Sequence, residues 1–421
     1  MKTIIEALKK NPQVSGYRIN THRKESYELF FVKGRLETMR RTDTCDKEVT
    51  VYADHGQYKG DAKFYVYPST TRQQLEALIQ EAADKALLID NQGYTLPAGE
   101  TGDYAVPSNF GDYTPADLAA KIARAVFGAN TIQHASLNSV EIFINKHVET
   151  VCNSRGLSKT QLRYDAMVEA IPTYNGENMS VELYEQYNFA VLDEEALRRK
   201  IGEKMAQVKA RYEAAAPDFP LEGPCVLHAQ ELETLFRSIV GNLNNASVYS
   251  HTNLFRKGDS IQHSPSGDRI GITMAGEAPG SIRSTKFDSD GLSLGSIRVV
   301  DGGTAVNYYG SNRYSQYLDQ TPTGELPCCL VDPGTAKAPE GSYLEVLSMS
   351  GLQVDILNDY IGGEVRLACY HTPEKAIPVT GISISGKLSK ILDEIRLSGE
   401  TATFGSYYGP ATAVLTGMKI F

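Results

Sequence analysis

Eight histidines, six cysteines and Lys387, at the end of a glycine-bounded segment, carry most of the reactive chemistry of this 421-residue sequence. Gly381-Ile382-Ser383-Ile384-Ser385-Gly386-Lys387 fits the first seven positions of a phosphate-binding loop, but Leu388 stands where a Ser or Thr would bind magnesium. The intervening Ile-Ser-Ile-Ser alternates at period two, so the segment reads as a strand, which does not wrap its amides around a phosphate. The histidines (His22, His55, His134, His147, His228, His251, His263, His371) never adopt HExxH or HExxxH spacing, and no cysteine pair has the CxxC spacing of a structural zinc site. Cys328-Cys329 is a vicinal pair and reads as reduced and partly buried. Cys369 and His371 leave a nucleophile–base pair open, although the sequence supplies no orienting third group. No G-x-S-x-G elbow is present.

The bulk properties narrow the field. At 41% hydrophobic and 22% charged the composition is that of a globular protein. A formal net charge of -9 argues against a surface that tracks phosphates, so nucleic acid is not an expected partner. Membrane association is not expected either, because no apolar run approaches the roughly 18 residues that a bilayer requires. Met1 to Lys10 is amphipathic with charges at both ends, unlike a secretory leader. The cysteines lack framework spacing and read as reduced thiols, which together with the leaderless start gives a cytoplasmic expectation.

Periodicity places the elements. Tyr27–Val32 and Leu36–Met39 flank the turn Lys33-Gly34, and Glu48–Ala53 and Lys63–Tyr67 flank a loop at Gly56–Gly60; these four segments predict an antiparallel meander. Leu75, Leu78, Ile79, Ala82 and Ala86 share one helix face. Thr114-Pro115 supplies an N-cap and first helical residue, Asp117 suits the dipole, and Gly128 closes the helix. Asn91–Asp112 is a long Gly, Pro and Tyr-rich loop, of the kind that is more often functional than idle. Val140–Ile144 and Val181–Ala190 are further strands, and Asp193–Ala216 is a long charged helix. The run Ala216–Pro224 holds three prolines and cannot continue a helix, so it marks a boundary between domains 1–216 and 217–421. Helices are expected near Gln230–Asn242 and Leu388–Leu397 in an otherwise strand-rich second half.

An ordered set of segments then gives a resemblance. Ser284–Gly291, Val299–Gly303, Asn312–Ser315, Gly362-Gly363-Glu364 and Ile377–Leu388 are similar in order and spacing to the TldD/PmbA family, the modulators of DNA gyrase, and to its PmbA (TldE) branch in particular. Gly34–Glu37 and Asn153–Leu157 extend the likeness into the first half. The resemblance implies an α+β fold of two domains, an N-terminal antiparallel or mixed sheet flanked by helices (1–216) and a β-rich C-terminal domain (217–421).

In that family the TldD-type subunit is a zinc peptidase with a helical HExxxH motif and a cysteine near its C-terminus. The segment that looks equivalent here is Leu235–Asn242. By this resemblance Arg237 stands for the first histidine, Ser238 for the glutamate and Asn242 for the second histidine, while Gly241 is kept and no cysteine follows Cys369. A guanidinium offers no lone pair to a metal. The implied role is the non-catalytic TldE-like half of a metallopeptidase complex, with no cofactor in this chain and zinc only in a TldD-like partner. The implied partners are that catalytic subunit, or a second copy in a dimer, and an unfolded peptide bound through its backbone for proteolysis or peptide maturation. Whether the chain is itself an enzyme is left open. A stand-alone peptide-binding or regulatory homodimer, and an autonomous peptidase using Cys369 and His371, remain the alternatives. Phe287–Gly291 reads either as a substrate-side loop or as an Asx-type turn.

Overall fold

Lys33 and Gly34 both take positive φ, 48° and 75°, so the chain reverses in two residues as a type I′ hairpin requires. The strands it joins are long: β1 (Gly16–Val32) and β2 (Arg35–His55) pair antiparallel along almost their whole length. The computed structural model describes all 421 residues, Met1–Phe421. The expected meander is therefore three strands and not four, because Leu36–Met39 and Glu48–Ala53 are two stretches of β2. The third strand, β3 (Tyr58–Tyr65), begins after a tight turn at Gly56, earlier than the hydrophobic pattern suggested.

With β4 (Thr101–Ala105), β5 (Ala135–Asn153) and β6 (Ser158–Asn175) they form a sheet ordered β3-β2-β1-β5-β6-β4. The outer edge of β6 carries β4 in parallel and then β8 (Glu185–Phe189) and β7 (Ser180–Glu182) antiparallel. The expected strand Val181–Ala190 is thus broken in two. The break lies between the pairs Ala170↔Glu185 and Thr173↔Glu182, opposite Pro172, which has no N–H to continue a ladder. One long edge stays open: β3 pairs only with Glu48–His55 of β2, so residues 36–46 of β2 have no strand on their outer side, and 35–41 are exposed.

Alternation gives this sheet two unlike faces. Ile19, Val49, Val51, Ile142, Ile144 and Val168 point one way and are buried against helices. These are α1 (Lys2–Lys10), α2 (Arg72–Ala86), α3 (Pro115–Phe127) and α4 (Glu194–Glu213). Thr114 caps α3 by accepting from the Asp117 N–H at 3.2 Å, and Gly128 ends it. The other face carries His22, His147, Glu149, Gln161, Arg163 and Asp165 and turns toward the second half of the chain.

After α4 the second half is strand-rich, with a six-stranded and a nine-stranded sheet. Between them lies α5 (Ala229–Gly241), whose Leu232, Leu235, Phe236, Ile239 and Val240 are at most 1% exposed. The expected helix 388–397 ends at Glu394, because Arg396-Leu397 pairs with Ala413-Val414 instead. Ile382–Lys387 is a strand of the larger sheet, paired on both sides by Tyr360–Val365 and Lys419–Ile420, which closes the phosphate-loop reading. The loop Asn91–Asp112 contains β4 and a 3₁₀ turn and does mechanical work. The Thr95 carbonyl accepts from Asn312 and Gln316 at 2.8 Å each, and the Gln92 carbonyl from Tyr317 at 2.7 Å, clamping it to the short helix Asn312–Tyr317.

Candidate functional site

A cavity of about 650 Å³ lies between the polar face of the first sheet and the second half of the chain. Its floor comes from β1, β2, β5 and β6, through Asn20, His22, Glu48, Glu149, Gln161 and Arg163; its wall comes from the loop 282–289 with Glu325 and Pro327. Only four of twenty lining residues are hydrophobic, so it suits a ligand recognised by hydrogen bonds and charge rather than an apolar body.

The two halves meet along one side of this cavity through polar groups. Gln161, 2% exposed, donates to Thr285 Oγ1 at 2.7 Å and to Glu149 at 2.6 Å, and accepts the Lys286 N–H at 2.8 Å. Arg18 pairs with Asp290, and the fully buried Lys159 reaches Ser293 Oγ and Glu100, both at 2.7 Å. The loop that receives them is held by Asp288, whose Oδ1 accepts the N–H groups of Asp290 and Leu292 at 2.9 and 3.0 Å. That is an Asx-type turn. Asp288 also borders the cavity, so both readings of Phe287–Gly291 apply; burial pushes its carboxyl above the usual range. The turn between β5 and β6 completes the junction: Asn153 donates to the Pro97 carbonyl at 2.7 Å, Gly156 has φ 82°, and Leu157 packs on Phe287.

On the floor, Arg163 grips Glu149 Oε1 through Nε and Nη2 at 3.0 and 2.8 Å. Burial alone would raise that carboxyl, yet the guanidinium holds it below the ordinary range. Asp165 behaves likewise, since burial opposes ionisation but the His147 bond at 2.7 Å wins. His22 sits over His147 with ring centroids 5.1 Å apart, and burial lowers its pKa against the pull of Glu149.

The three positions matched to the zinc motif lie on or at the end of α5. Exposed Arg237 donates from Nη1 to the Pro327 carbonyl at 3.2 Å and to Ser406 Oγ at 3.0 Å. Ser406 in turn donates its N–H and O–H to Glu233, at 2.8 and 2.6 Å. Ser238 bonds back to the Leu235 carbonyl at 2.6 Å, and Asn242, the C-cap residue, donates to the Ser238 carbonyl at 2.8 Å and accepts the Leu254 N–H at 2.8 Å. Zinc does not fit this group: a cation stands at one ligand position, and the hydroxyl and carboxamide are committed to backbone. Because Pro327 lines the cavity, Arg237 braces its rim.

Cys369 and His371 are neighbours on one strand, but His371 Nε2 bonds Glu345 at 2.8 Å. Burial and the Glu345 charge raise the Cys369 thiol, the opposite of what activates a nucleophile. The grouping of His22, His147 and Glu149 escaped sequence reading altogether, because 125 residues separate the two histidines and only the β1–β5 register joins them.

A polar interdomain cavity over a long antiparallel sheet, backed by a helix buried between two further sheets, is a fold with known relatives. Residues 221–420 match the model of the PmbA/TldA metallopeptidase C-terminal domain. The structure resembles TldE from Thermococcus kodakarensis at a TM-score of 0.81 and 15% identity, covering 100% of this chain and 99% of that one. It also resembles candidate modulators of DNA gyrase from Thermotoga maritima (TM-score 0.76, 14% identity, 100% and 99% covered) and Bacteroides thetaiotaomicron (0.78, 13%, 100% and 97%). A search of curated protein sequences returns no match. Residues 221–420 thus carry a PmbA/TldA-type C-terminal domain, and the chain as a whole has the fold of these solved structures. No helix is long and apolar enough to cross a membrane.

Proposed function

We propose that this chain is a non-catalytic, TldE/PmbA-like subunit of a cytoplasmic TldD-type zinc metallopeptidase, and that its cavity receives an unfolded peptide. The observation that carries the reading is Arg237, a permanent cation hydrogen-bonded to Pro327 and Ser406 where the hydrolytic metal would need a ligand. The catalytic zinc then belongs to a TldD-like partner, and this chain completes the peptide compartment. The polar lining supports recognition of peptide backbone, whose N–H and C=O groups are present in every unfolded sequence.

Affinity capture from the native host, followed by metal analysis of what co-purifies, tests the pairing. The expected companion carries HExxxH and holds the hydrolytic zinc; capture of a second copy alone would favour a homodimer. The isolated chain should cleave neither casein nor short peptides, with or without added zinc. Zinc-dependent cleavage by the isolated chain would refute the proposal.

A further inference from the structure

The polar floor of the cavity contains a group that peptide recognition does not need. His22 Nε2 and His147 Nδ1 face one another at 2.8 Å, and Glu149 Oε1 lies 3.7 Å from His22 Nε2. One ligand atom from each of the three residues falls within 4.8 Å of the others. The grouping is built by strand register: His22 on β1 lies directly opposite Glu149 on β5, and His147 is two residues away on the same face.

Each inner group has an outer partner. His147 Nε2 is bound by Asp165 at 2.7 Å, and Asp165 also accepts from Asn145 at 2.6 Å. That contact fixes the imidazole so that Nδ1 presents its lone pair inward, the carboxylate–histidine arrangement that orients metal ligands. Glu149 is oriented by Arg163, whose two N–H groups take both acceptor sites of Oε1, and by Gln161 on Oε2, so the free acceptor site that an ion would use is the second one on Oε2. The His147 side chain is 6% exposed, whereas that of His22 is 41% exposed and borders the cavity, giving an ion its way in.

The geometry points to a divalent transition-metal site, zinc by its ligand chemistry, formed by His22 Nε2, His147 Nδ1 and Glu149, with the fourth position open to the cavity. Two imidazoles and a carboxylate are ligands that zinc accepts, and three protein ligands plus an open position is the pattern of a site that also binds solvent or a ligand oxygen. Tetrahedral zinc at its usual Zn–N distance sets two ring nitrogens about 3.3 Å apart. From the 2.8 Å seen here, the exposed His22 ring need swing outward by only about half an ångström, while buried His147 stays where Asp165 holds it. The ion is separate from the family's zinc centre and does not depend on the function proposed above. It departs from the expectation of a metal-free chain, which rests on α5 and on sequence spacing alone.

The test is metal binding by the full, isolated chain after chelator treatment, with Zn²⁺ titrated calorimetrically and Co²⁺ as a spectroscopic probe. One equivalent per chain is expected, with the visible bands of four-coordinate Co²⁺. His22→Gln, at a half-exposed position that does not endanger folding, should weaken binding at least tenfold. Asp165→Asn should weaken it by about 10–100-fold without removing a ligand. Arg237→Ala on α5 should leave it unchanged. Absence of stoichiometric binding to the wild-type chain, or binding indifferent to His22→Gln, would overturn the assignment and leave a hydrogen-bonded histidine pair. Because no partner or peptidase assay enters this measurement, its failure is distinct from failure of the subunit proposal.

Discussion

Gln161→Met replaces one amide with a side chain of similar volume and severs the bonds at the centre of the interdomain junction. Two groups lose their partner outright: the Lys286 N–H, which gives 2.8 Å to Gln161 Oε1, and the Glu149 oxygen that receives 2.6 Å from Gln161 Nε2. Thr285 is less affected, since its hydroxyl also donates to the Phe287 carbonyl at 2.9 Å. A buried polar group left unpaired costs about 1–3 kcal/mol. Glu149 borders the cavity and recovers part of that from water, so the sum is about 2–4 kcal/mol. For a domain of this size that is a fall in melting midpoint on the order of 5–10 °C. The sequence has no tryptophan, so circular dichroism is the convenient signal. Thr285→Val alone should cost less, and the double variant should fall short of the sum by more than about 0.5 kcal/mol, because the two side chains act as one unit. A drop below about 1 °C in Gln161→Met, or full additivity with Thr285→Val, would refute the view that this network joins the halves.

Thiol titration of the native chain should find Cys45 first and Cys369 more slowly, with Cys152, Cys225, Cys328 and Cys329 silent until denaturant is added; burial pushes Cys225 and Cys329 up to about 12. Fast labelling of the vicinal pair would contradict the packing. Glu345 is held below the ordinary carboxylate range by its contacts with His228 and His371, against burial. A depressed carboxyl stabilises above its unfolded pKa near about 4.3 and loses that contribution as pH falls through the folded value. Glu345→Gln should therefore be less stable than wild type by about 1 kcal/mol at pH 6, with the gap closing below about pH 4; a constant gap in denaturant midpoints would disprove the coupling. At Gly60 an added Cβ would run into the Ala86 carbonyl at the end of α2, so Gly60→Ala should cost more than about 2 kcal/mol in chemical unfolding.

What the sequence revealed, and what it hid, divides by the range of the interactions. The helix 115–127 is legible because Thr114, Pro115, Asp117 and Gly128 specify it locally. So is the strand at Ile382–Lys387, whose alternation outweighs its glycine and lysine pattern. Gly60 reads as part of a loop, since nothing nearby says that its missing side chain makes room for α2. The helix expected to reach Leu397 stops early for the same kind of reason: Val414, far along the chain, claims Arg396 as a strand partner. Arg237, Ser238 and Asn242 could be picked out by motif comparison, but their bonds to Pro327, Ser406, Leu235 and Leu254 could not. The His22 grouping depends on pairing between β1 and β5, and no local pattern encodes it.

The uncovered outer margin of β2 has a consequence for solubility. Over residues 36 to 46, the alternate N–H and C=O groups that point away from β1 have no strand to meet them, the kind of edge on which sheets of separate molecules can pair. Arg40, Arg41, Asp43 and Asp46 along it make self-pairing electrostatically awkward and stand in for a covering strand. Replacing Arg41, Asp43 and Asp46 with threonine would remove no core side chain and keep the pair between Arg40 and buried Glu28, yet turn this hairpin into a seed for intermolecular sheet growth, visible as turbidity or thioflavin binding at concentrations where the wild-type chain stays dispersed.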